Sequence, residues 1–289
     1  MLVGIIKIGF QTVDMSEWEV YLGEYDAPTN LAIDDYLLEK ASEEGTKSLR
    51  LYEFESPSVI LARNECFSDI KDVKEDVDYT RRDTGGSVIY CDDNAVFYSI
   101  VVPLEENRYP EELHREYFGP KIADVLDEVG VEKELLGVGE HFSVRIDGKT
   151  VSGNSQRKKK DAVLYHGVLA LEPWNVERLD SLIQLREKQE KSEYEFVESL
   201  PGVFEHAEHS EKGLVEDLLI ERFTEGEYII SEFNEEELDL INEIAEEKYG
   251  NKEWIRNATN PSTLKKDQGF CFVDWTDEWK EEIKDYGFY

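Results

Sequence analysis

The stretch Arg81-Arg82-Asp83-Thr84-Gly85-Gly86-Ser87-Val88-Ile89-Tyr90-Cys91-Asp92 places two arginines before a Gly-Gly turn that leads into an apolar strand. Glycines accept positive φ angles and let the backbone approach a ligand closely. Thr84 and Ser87 add hydroxyl groups, and the arginines add fixed positive charge. The stretch therefore predicts a pocket for an anion. Taken alone, the same pattern also fits an ordinary hairpin with a salt bridge.

The sequence of this stretch resembles the signature loop of the lipoate-protein ligase and biotin-ligase superfamily, which runs Arg-Arg-x-Ser/Thr-Gly-Gly-Gly-x-Val-Tyr/Phe-His-Asp. The family pattern continues to a Tyr-Ser pair, which is Tyr98-Ser99 here. Further stretches similar to this family occur in the family's order. They are Thr29–Asp35, Pro57–Asn64, Gly148–Arg157, Tyr165–Leu169, and Glu247–Tyr249 with Glu253-Trp254. We therefore identify the chain as resembling the lipoate-protein ligase family.

The hydrophobic pattern predicts an α+β fold in which helices cover a mixed or antiparallel β-sheet. The predicted strands are Leu49–Phe54, Val59–Ala62, Ser87–Tyr90, Val96–Val102, Phe142–Ile146 and Leu164–Leu171. The predicted helices are 30–43 after the capping pair Thr29-Asn30, Pro110–Glu128, Val176–Lys191, Leu214–Phe223 and Glu235–Tyr249. The resemblance implies the class II synthetase or biotin/lipoate ligase type of catalytic domain.

We expect this catalytic domain to span residues 15–256. Residues 1–14 precede the second methionine and are expected to be an added strand or a misassigned start. Residues 257–289 are expected to form a C-terminal tail that is too short for the accessory domain of many family members. A separate polypeptide is therefore expected to complete the active site.

The composition excludes several classes of protein. The formal net charge of −34, from 66 acidic and 32 basic residues, argues against general binding to nucleic acid or to an anionic membrane. Three widely spaced cysteines predict neither a disulfide framework nor a metal site and suit a cytoplasmic location. No apolar run reaches the roughly 18 to 20 residues of a membrane helix.

The resemblance implies that ATP, with Mg²⁺, activates lipoate or octanoate to an acyl-adenylate. The acyl group would then pass to a lysine of a lipoyl carrier domain, of the 2-oxoacid dehydrogenase E2 or glycine cleavage H-protein type. Such chemistry brings a carboxylate against the α-phosphate and stabilises the growing charge with placed cations and N–H groups. A deep apolar slot for the acyl chain is expected beside residues 82–91.

The resemblance implies that residues of three segments hold the acyl-adenylate. They are Arg82, Thr84, Gly85, Gly86, Ser87, Val88, Cys91 and Asp92 of the loop, Ser152, Gly153 and Asn154, and His166 with Gly167. Ser87 stands in place of the third glycine and Cys91 in place of the histidine before Asp92. In addition, Asn94-Ala95-Val96-Phe97 replaces Gly-Asn-Leu-Asn.

The family's catalytic lysine directly precedes the Val-Ser-Gly triplet, where this chain has Thr150. Lys149 is one residue earlier. Neighbouring residues of a strand face opposite sides, so Lys149 reaches the pocket only if a bulge turns it inward. Lys149 and Thr150 are the candidate catalytic positions. The loss of a cation at the transferring carbonyl predicts a slow enzyme or a binding relative without turnover.

Two other features have competing interpretations. The basic run Arg157–Lys160 fits a solvated hairpin tip, or a mobile loop that holds ATP phosphates or docks an acidic carrier domain. His166 lies among apolar residues, which favours a core histidine over a general base. An ATP-independent acyl transfer through Cys91 is a further alternative, although octanoyltransferases place their cysteine elsewhere and no obvious base lies nearby in the sequence, which favours a small buried thiol. Biotin transfer is disfavoured because the stretches Arg81–Gly86 and Ser152–Gln156 resemble lipoate ligases more closely.

Overall fold

The computed structural model describes residues 17–257, except 64, 66, 68–69, 71–73, 105–109, 140–141 and 183–200. The strands are β1 (Trp18–Tyr25), β2 (Lys47–Phe54), β3 (Ser58–Leu61), β4 (Asp78–Arg81), β5 (Ile89–Cys91), β6 (Ala95–Pro103), β7 (Leu136–Gly139), β8 (Ser143–Ile146), β9 (Lys149–Lys159), β10 (Ala162–Ala170) and β11 (Tyr228–Ile230). The helices are α1 (Ala27–Glu44), α2 (Pro110–Leu113), α3 (Gly119–Glu128), α4 (Val176–Leu182), α5 (Lys212–Thr224), α6 (Glu235–Ile244) and α7 (Lys252–Asn257). The proposed N-terminal strand, the tail beyond residue 257, Asn64, Cys66, Cys271 and residues 183–191 of one predicted helix lie outside the described residues.

The largest element is an eight-stranded mixed sheet with the order β11-β1-β2-β6-β10-β9-β8-β7. Strand β1 pairs in parallel with β2 and β11, and the other neighbours are antiparallel. Helices pack on both of its faces. The predicted α+β fold with a mixed sheet is confirmed.

A three-stranded sheet, β4-β3-β5, stands beside the large one. Residues 82–88, here called the signature loop, connect β4 to β5. The C-terminal helices anchor this small sheet, because Thr80 Oγ1 donates to the Tyr249 carbonyl (2.8 Å) and Trp254 Nε1 donates to the Arg81 carbonyl (2.8 Å). The signature loop is therefore held between the large sheet and the C-terminal helices.

Side-chain alternation along β10 separates two cores. Val163, Tyr165 and Leu169 pack with α3 and α5, on what we call the α3 face. Leu164 and Val168 pack with α1 and α6, on the α1 face. Residues that lie directly opposite each other on adjacent strands share a face. The strand registers therefore place each site residue on one face or the other.

Helix α1 begins earlier than the sequence predicted. Asp26 is the N-cap, and its side chain accepts a hydrogen bond from the Thr29 backbone N–H (2.8 Å). Pro28 lies in the first turn, where its missing N–H costs no hydrogen bond. Thr29 and Asn30 were predicted to cap the helix but lie inside it. Asn30 is fully buried and donates to the Tyr25 and Glu53 carbonyls (2.9 Å each).

The prediction of a turn at Ser152–Asn154 was wrong, because these residues lie in a strand. The basic run lies at the closing end of a β-hairpin, as its hairpin interpretation predicted, and not in a loop. Residues 149–159 form the single long strand β9, paired with β8 on one side and β10 on the other. Only Lys160, with φ of 45°, lies in the turn that follows. Ladder hydrogen bonds to β8 along residues 149–153 and to β10 along residues 152–159 outweigh the weak strand preference of lysine and glycine here.

Candidate functional site

Arg82 organises the signature loop from inside. Its guanidinium is 6% exposed and donates to the carbonyls of Gly85 (2.7 Å), Ser87 (2.8 Å) and Ile60 (3.3 Å). Burial lowers the pKa of Arg82, and the charge of Glu65 opposes that shift. Arg82 was predicted to bind the adenylate, and the structure places it as the internal support of the loop that would do so.

The tip of the signature loop faces outward. Gly85, Gly86 and Ser87 are exposed, and Gly86 has a φ of 101°. A Cβ at Gly86 would lie 2.9 Å from Arg82 Nη2. Glycine is required at this position because both its left-handed backbone and its contact with Arg82 exclude a side chain.

A buried chain of polar side chains joins the loop to the α1 face. Thr84 Oγ1 lies 2.8 Å from His166 Nε2, and His166 Nδ1 lies 2.9 Å from Asp34 Oδ2. An ionised carboxylate only accepts, so Nδ1 donates to Asp34 and, in the neutral ring, Nε2 accepts from Thr84. His166, which the sequence favoured as a core histidine, is buried and has a polar partner at each ring nitrogen.

Asp34 is ionised at the buried end of this chain. Burial alone raises the pKa of Asp34, but the hydrogen bond from His166 and the charge of Arg50 outweigh it and hold the pKa below its ordinary value. Arg50 Nη1 lies 3.1 Å from Asp34 Oδ1, and its guanidinium stacks 4.0 Å from the Tyr52 ring centroid. The carboxylate thus fixes the orientation of the His166 ring.

Five charged side chains meet next to the hydrogen-bonded residues Thr84, His166 and Asp34. We call them the cation cluster: Asp35, Arg63, Asp83, Arg157 and Lys248. Arg157 Nη1 lies 2.5 Å from Asp35 and 3.0 Å from Asp83. Lys248 Nζ lies 2.7 Å from Asp35 and 2.9 Å from Asp83. Arg63 also pairs with Asp83. Three cations from three elements therefore converge on the signature loop.

Two spaces adjoin the cation cluster. A closed cavity of about 10 Å³ is lined by Leu31, Asp34, Asp35, Arg82, Asp83, Thr84, Arg157, Leu164, His166 and Tyr249. An open groove of about 520 Å³ is lined by Asp35, Leu38, Glu39, Arg157, Lys159, Ile244, Glu247 and Lys248. Asp35 and Arg157 line both, so their ion pair forms the wall between the two spaces.

The closed cavity corrects one prediction. A deep apolar slot beside residues 82–91 was expected, but the space there is small, is lined by apolar, polar and charged side chains together, and has room for about one water molecule. The loop closes it through the Thr84–His166 contact and through Ser155 Oγ, which donates to the Gly85 carbonyl (3.0 Å). Among the described residues, an acyl group enters this cavity only if the signature loop moves.

Strand register decides the orientation of the two candidate catalytic positions. Lys149 is exposed and lies opposite Ile146, which is buried on the α3 face. Thr150 lies opposite Arg145, one residue along, and therefore faces the α1 side. A bulge follows at Val151 and does not bring Lys149 around. The register thus argues against Lys149 reaching the pocket.

Three further predicted residues lie on the α3 face. The Tyr98 hydroxyl lies 2.9 Å from Ser152 Oγ and donates to Asn154 Oδ1 (2.5 Å). A Cβ at Gly167 would lie 2.1 Å from Asn154 Oδ1. Tyr98, Ser152 and Asn154 therefore form a polar network on the α3 face, and Gly167 leaves room for the Asn154 side chain. Gly153 is exposed and lies opposite Val168, on the α1 side.

The end of the signature stretch has a structural role. Cys91 is fully buried, and burial raises its pKa well above the ordinary thiol value. Asp92 accepts from the Asn94 backbone N–H (3.0 Å) and so shapes the turn into β6. The Val88 N–H donates to Glu65 (2.6 Å). None of these three lines either space described above.

Sequence reasoning missed five site residues: Asp34, Asp35, Arg63, Asp83 and Lys248. Asp34 carried a signal, because it occupies a position in the apolar stripe of α1 where a charge is costly unless paired. Asp83 fills the unspecified position of the signature loop. The described residues contain no cluster of three His, Cys, Asp or Glu side chains that could hold a metal ion.

No helix in the described part of the chain is both long and apolar enough to cross a membrane.

The comparisons with known proteins agree with this architecture. The chain is similar to an octanoyltransferase LipM from Clostridioides difficile (strain 630), at 27% identity over 83% of this chain and 98% of that protein. It is also similar to lipoate–protein ligase 1 from Staphylococcus aureus (strain Mu50), at 23% identity over 79% of this chain and 70% of that protein.

The fold is that of the bipartite lipoate protein ligase from Thermoplasma acidophilum, with a TM-score of 0.72 and 20% identity over 86% of this chain and all of that one. The family model described as "Lipoyl protein ligase A/B catalytic domain" matches residues 26–213, well over half of the sequence. The chain belongs to the lipoyl protein ligase A/B catalytic domain family.

Proposed function

We propose that this protein activates lipoate or octanoate with ATP, in the presence of Mg²⁺, and transfers the acyl group to a lysine of a lipoyl carrier domain. The observation that carries this proposal is the convergence of Arg63, Arg157 and Lys248 on the signature loop. A concentration of cations in so acidic a chain suits a polyphosphate. Acyl adenylation needs such cations because it brings a carboxylate against a phosphate.

The roles of the loop residues follow from their positions. Arg82 supports the turn, and the exposed backbone of Gly85–Ser87 offers N–H groups to the transferring group. The hydrogen-bonded residues Asp34, His166 and Thr84 hold the signature loop against the large sheet. Binding of the acyl chain requires the loop to lift from His166 and Ser155.

Thr150 makes the proposed enzyme slow. Its register places it on the α1 side, where the family pattern has a lysine, and a threonine supplies no charge to the acyl phosphate. Removing one stabilising donor from an oxyanion typically costs about 10²- to 10³-fold in rate. We expect turnover at a correspondingly reduced rate, with Lys149 making no direct contribution.

The proposed acceptor is a lipoyl domain of the E2 or H-protein type. The resemblance to a bipartite ligase supports a second polypeptide that completes the site. We expect a small partner to co-purify with the full chain and to raise acyl transfer. Full activity of the isolated chain would contradict the need for such a partner.

The function is tested by incubating the chain with ATP, Mg²⁺ and lipoate, octanoate or biotin, with and without a lipoyl domain. We expect pyrophosphate release with lipoate or octanoate and acylation of the domain only when ATP is present. Lys248→Ala is expected to slow release, and Lys158→Ala, an exposed lysine on the opposite face, serves as its matched control. Ligand binding without release would identify a relative that has lost its chemistry.

A second candidate function is ATP-independent acyl transfer, favoured by the hydrogen-bonded series Thr84, His166 and Asp34. His166 would take the Thr84 proton as the hydroxyl attacks an acyl thioester, and the thiol would leave with that proton. The acceptor lysine would then displace Thr84 and restore its hydroxyl. This route predicts acylation without ATP that Thr84→Ala abolishes and Thr84→Ser retains.

A further inference from the structure

Asp83 is the common partner of the three cations in the cluster. Its carboxylate is 8% exposed and pairs with Arg63 beyond β3, Arg157 of β9 and Lys248 of the π-helical segment Ala245–Tyr249 that continues α6. Each of these elements meets the signature loop from a different direction. One loop carboxylate therefore occupies the point where three positive side chains meet.

Asp35 is the second carboxylate and contacts only two of the cations, Arg157 and Lys248. With three cations and two carboxylates, the cluster has a formal excess of one positive charge. Burial lowers the pKa of Lys248, the charge of Asp35 opposes that shift, and the nearby Arg157 and Arg63 add to it. These cations are costly to hold together unless an anion lies among them.

The cluster lies where a ligand entering from solvent can reach it. Asp35 and Arg157 line the closed cavity beside Thr84 and also the open groove of about 520 Å³. Lys248 lines the groove and lies 4.9 Å from the Trp254 ring centroid. A polyphosphate entering along the groove meets Lys248 and Arg157 first and then Asp83.

We propose that Arg63, Arg157 and Lys248 form the binding site for the phosphate groups of the nucleotide, and that Asp83 occupies this site when no nucleotide is bound. A phosphate takes over the three cations, Asp83 leaves, and the signature loop is freed to lift from the sheet. This inference rests on the proposed function, since it assigns the phosphate subsite of the same reaction. It also explains how a cavity of about 10 Å³ becomes accessible.

The two possible roles of Asp83 predict opposite effects of its loss on anion binding. If Asp83 were only a structural partner, its loss would loosen the cations and weaken anion binding. If Asp83 competes with the phosphate, Asp83→Asn removes the competitor and leaves a larger positive excess. We therefore expect Asp83→Asn to bind pyrophosphate and ATP about tenfold more tightly, and Lys248→Ala to bind them about tenfold more weakly, since charge-assisted hydrogen bonds carry energies of this size.

The experiment is calorimetric titration of inorganic pyrophosphate, ATP and adenosine into the full chain. Asp93→Asn is the charge-matched control for Asp83→Asn, because Asp93 is an exposed residue of the β5–β6 turn. Lys158→Ala is the control for Lys248→Ala. Both controls are expected to bind as the wild type does, and adenosine is expected to bind equally weakly to all variants. Equal or weaker pyrophosphate binding by folded Asp83→Asn would overturn the proposal.

A second variant and a second signal guard against misfolding. Asp83→Ser also removes the charge, and circular dichroism checks that each variant is folded. Trp254 packs against Lys248, so pyrophosphate is expected to change its fluorescence, and Trp254→Phe identifies the signal. Pyrophosphate binding without a change at Trp254 would place the anion elsewhere and contradict the assignment. These readouts need no turnover, so they separate failure of this inference from failure of the proposed reaction.

Discussion

Replacing Asp34 tests whether the buried carboxylate holds the site together. Arg50 is 1% exposed, and Asp34→Ala removes the carboxylate that pairs with its guanidinium and the acceptor at His166 Nδ1. Breaking a buried ion pair by removing one partner costs about 3–5 kcal/mol. Arg50 keeps its bonds to the Asn30 carbonyl and side chain, so we expect the lower part of that range.

The loss is measured as the free energy of unfolding in urea, together with the melting temperature. About 3 kcal/mol corresponds to a drop of roughly 6–12 °C in a domain of this size. Asp217→Ala, which removes an exposed carboxylate from α5, is the control and is expected to change stability by under about 0.5 kcal/mol. The reasoning is refuted if Asp34→Ala costs no more than this control.

The pH dependence has a definite sign. The folded pKa of Asp34 is lowered, so its ionised form contributes stability above the ordinary carboxyl pKa of about 3.9, and the contribution is lost as pH falls through the folded pKa. The penalty of Asp34→Ala is therefore full at neutral pH and shrinks in acid. The double variant Asp34→Leu/Arg50→Met, which removes both charges, is expected to be more stable than Asp34→Ala.

Other predictions concern residues of strands β9, β5 and β10. Thr150→Lys is expected to raise pyrophosphate release about 100-fold, whereas Lys149→Ala stays within about twofold of wild type; the reverse result would contradict the strand register. Cys91→Ala is expected to keep acyl transfer while losing about 1–2 kcal/mol of stability, and loss of transfer would instead support a thiol mechanism. Gly167→Ala is expected to lose about 1–3 kcal/mol or more, because its Cβ would lie 2.1 Å from Asn154 Oδ1, and an unchanged melting temperature would contradict this crowding.

Much of the fold was predictable because apolar periodicity reports burial on a sheet or helix face. The strand signal in β6 and β10 and the helix signal in α1 arise from this effect, since those elements pack in the two cores. Strand β9 was expected only at its start, around Lys149 and Thr150. The rest was missed because its residues are mostly polar or small and its pairing comes from ladder hydrogen bonds with β8 and β10. A single sequence does not display those partners.

The site was predictable in part. The signature loop identifies Thr84, and the matching strand identifies His166, but only the fold shows that the two side chains are bonded to each other. The face of Lys149 depends on a register that propensity does not set. The cation cluster joins residues 35, 63, 83, 157 and 248, and such long-range ion pairs leave no local pattern in the sequence.

The most direct test of the central claim is mass analysis of a lipoyl domain incubated with this chain and lipoate or octanoate, with pyrophosphate measured in the same reaction. We predict an acylated domain and an equal amount of pyrophosphate, both strictly dependent on ATP. Acylation from an acyl thioester in the absence of ATP, with no pyrophosphate, would contradict the account and favour the Thr84 route.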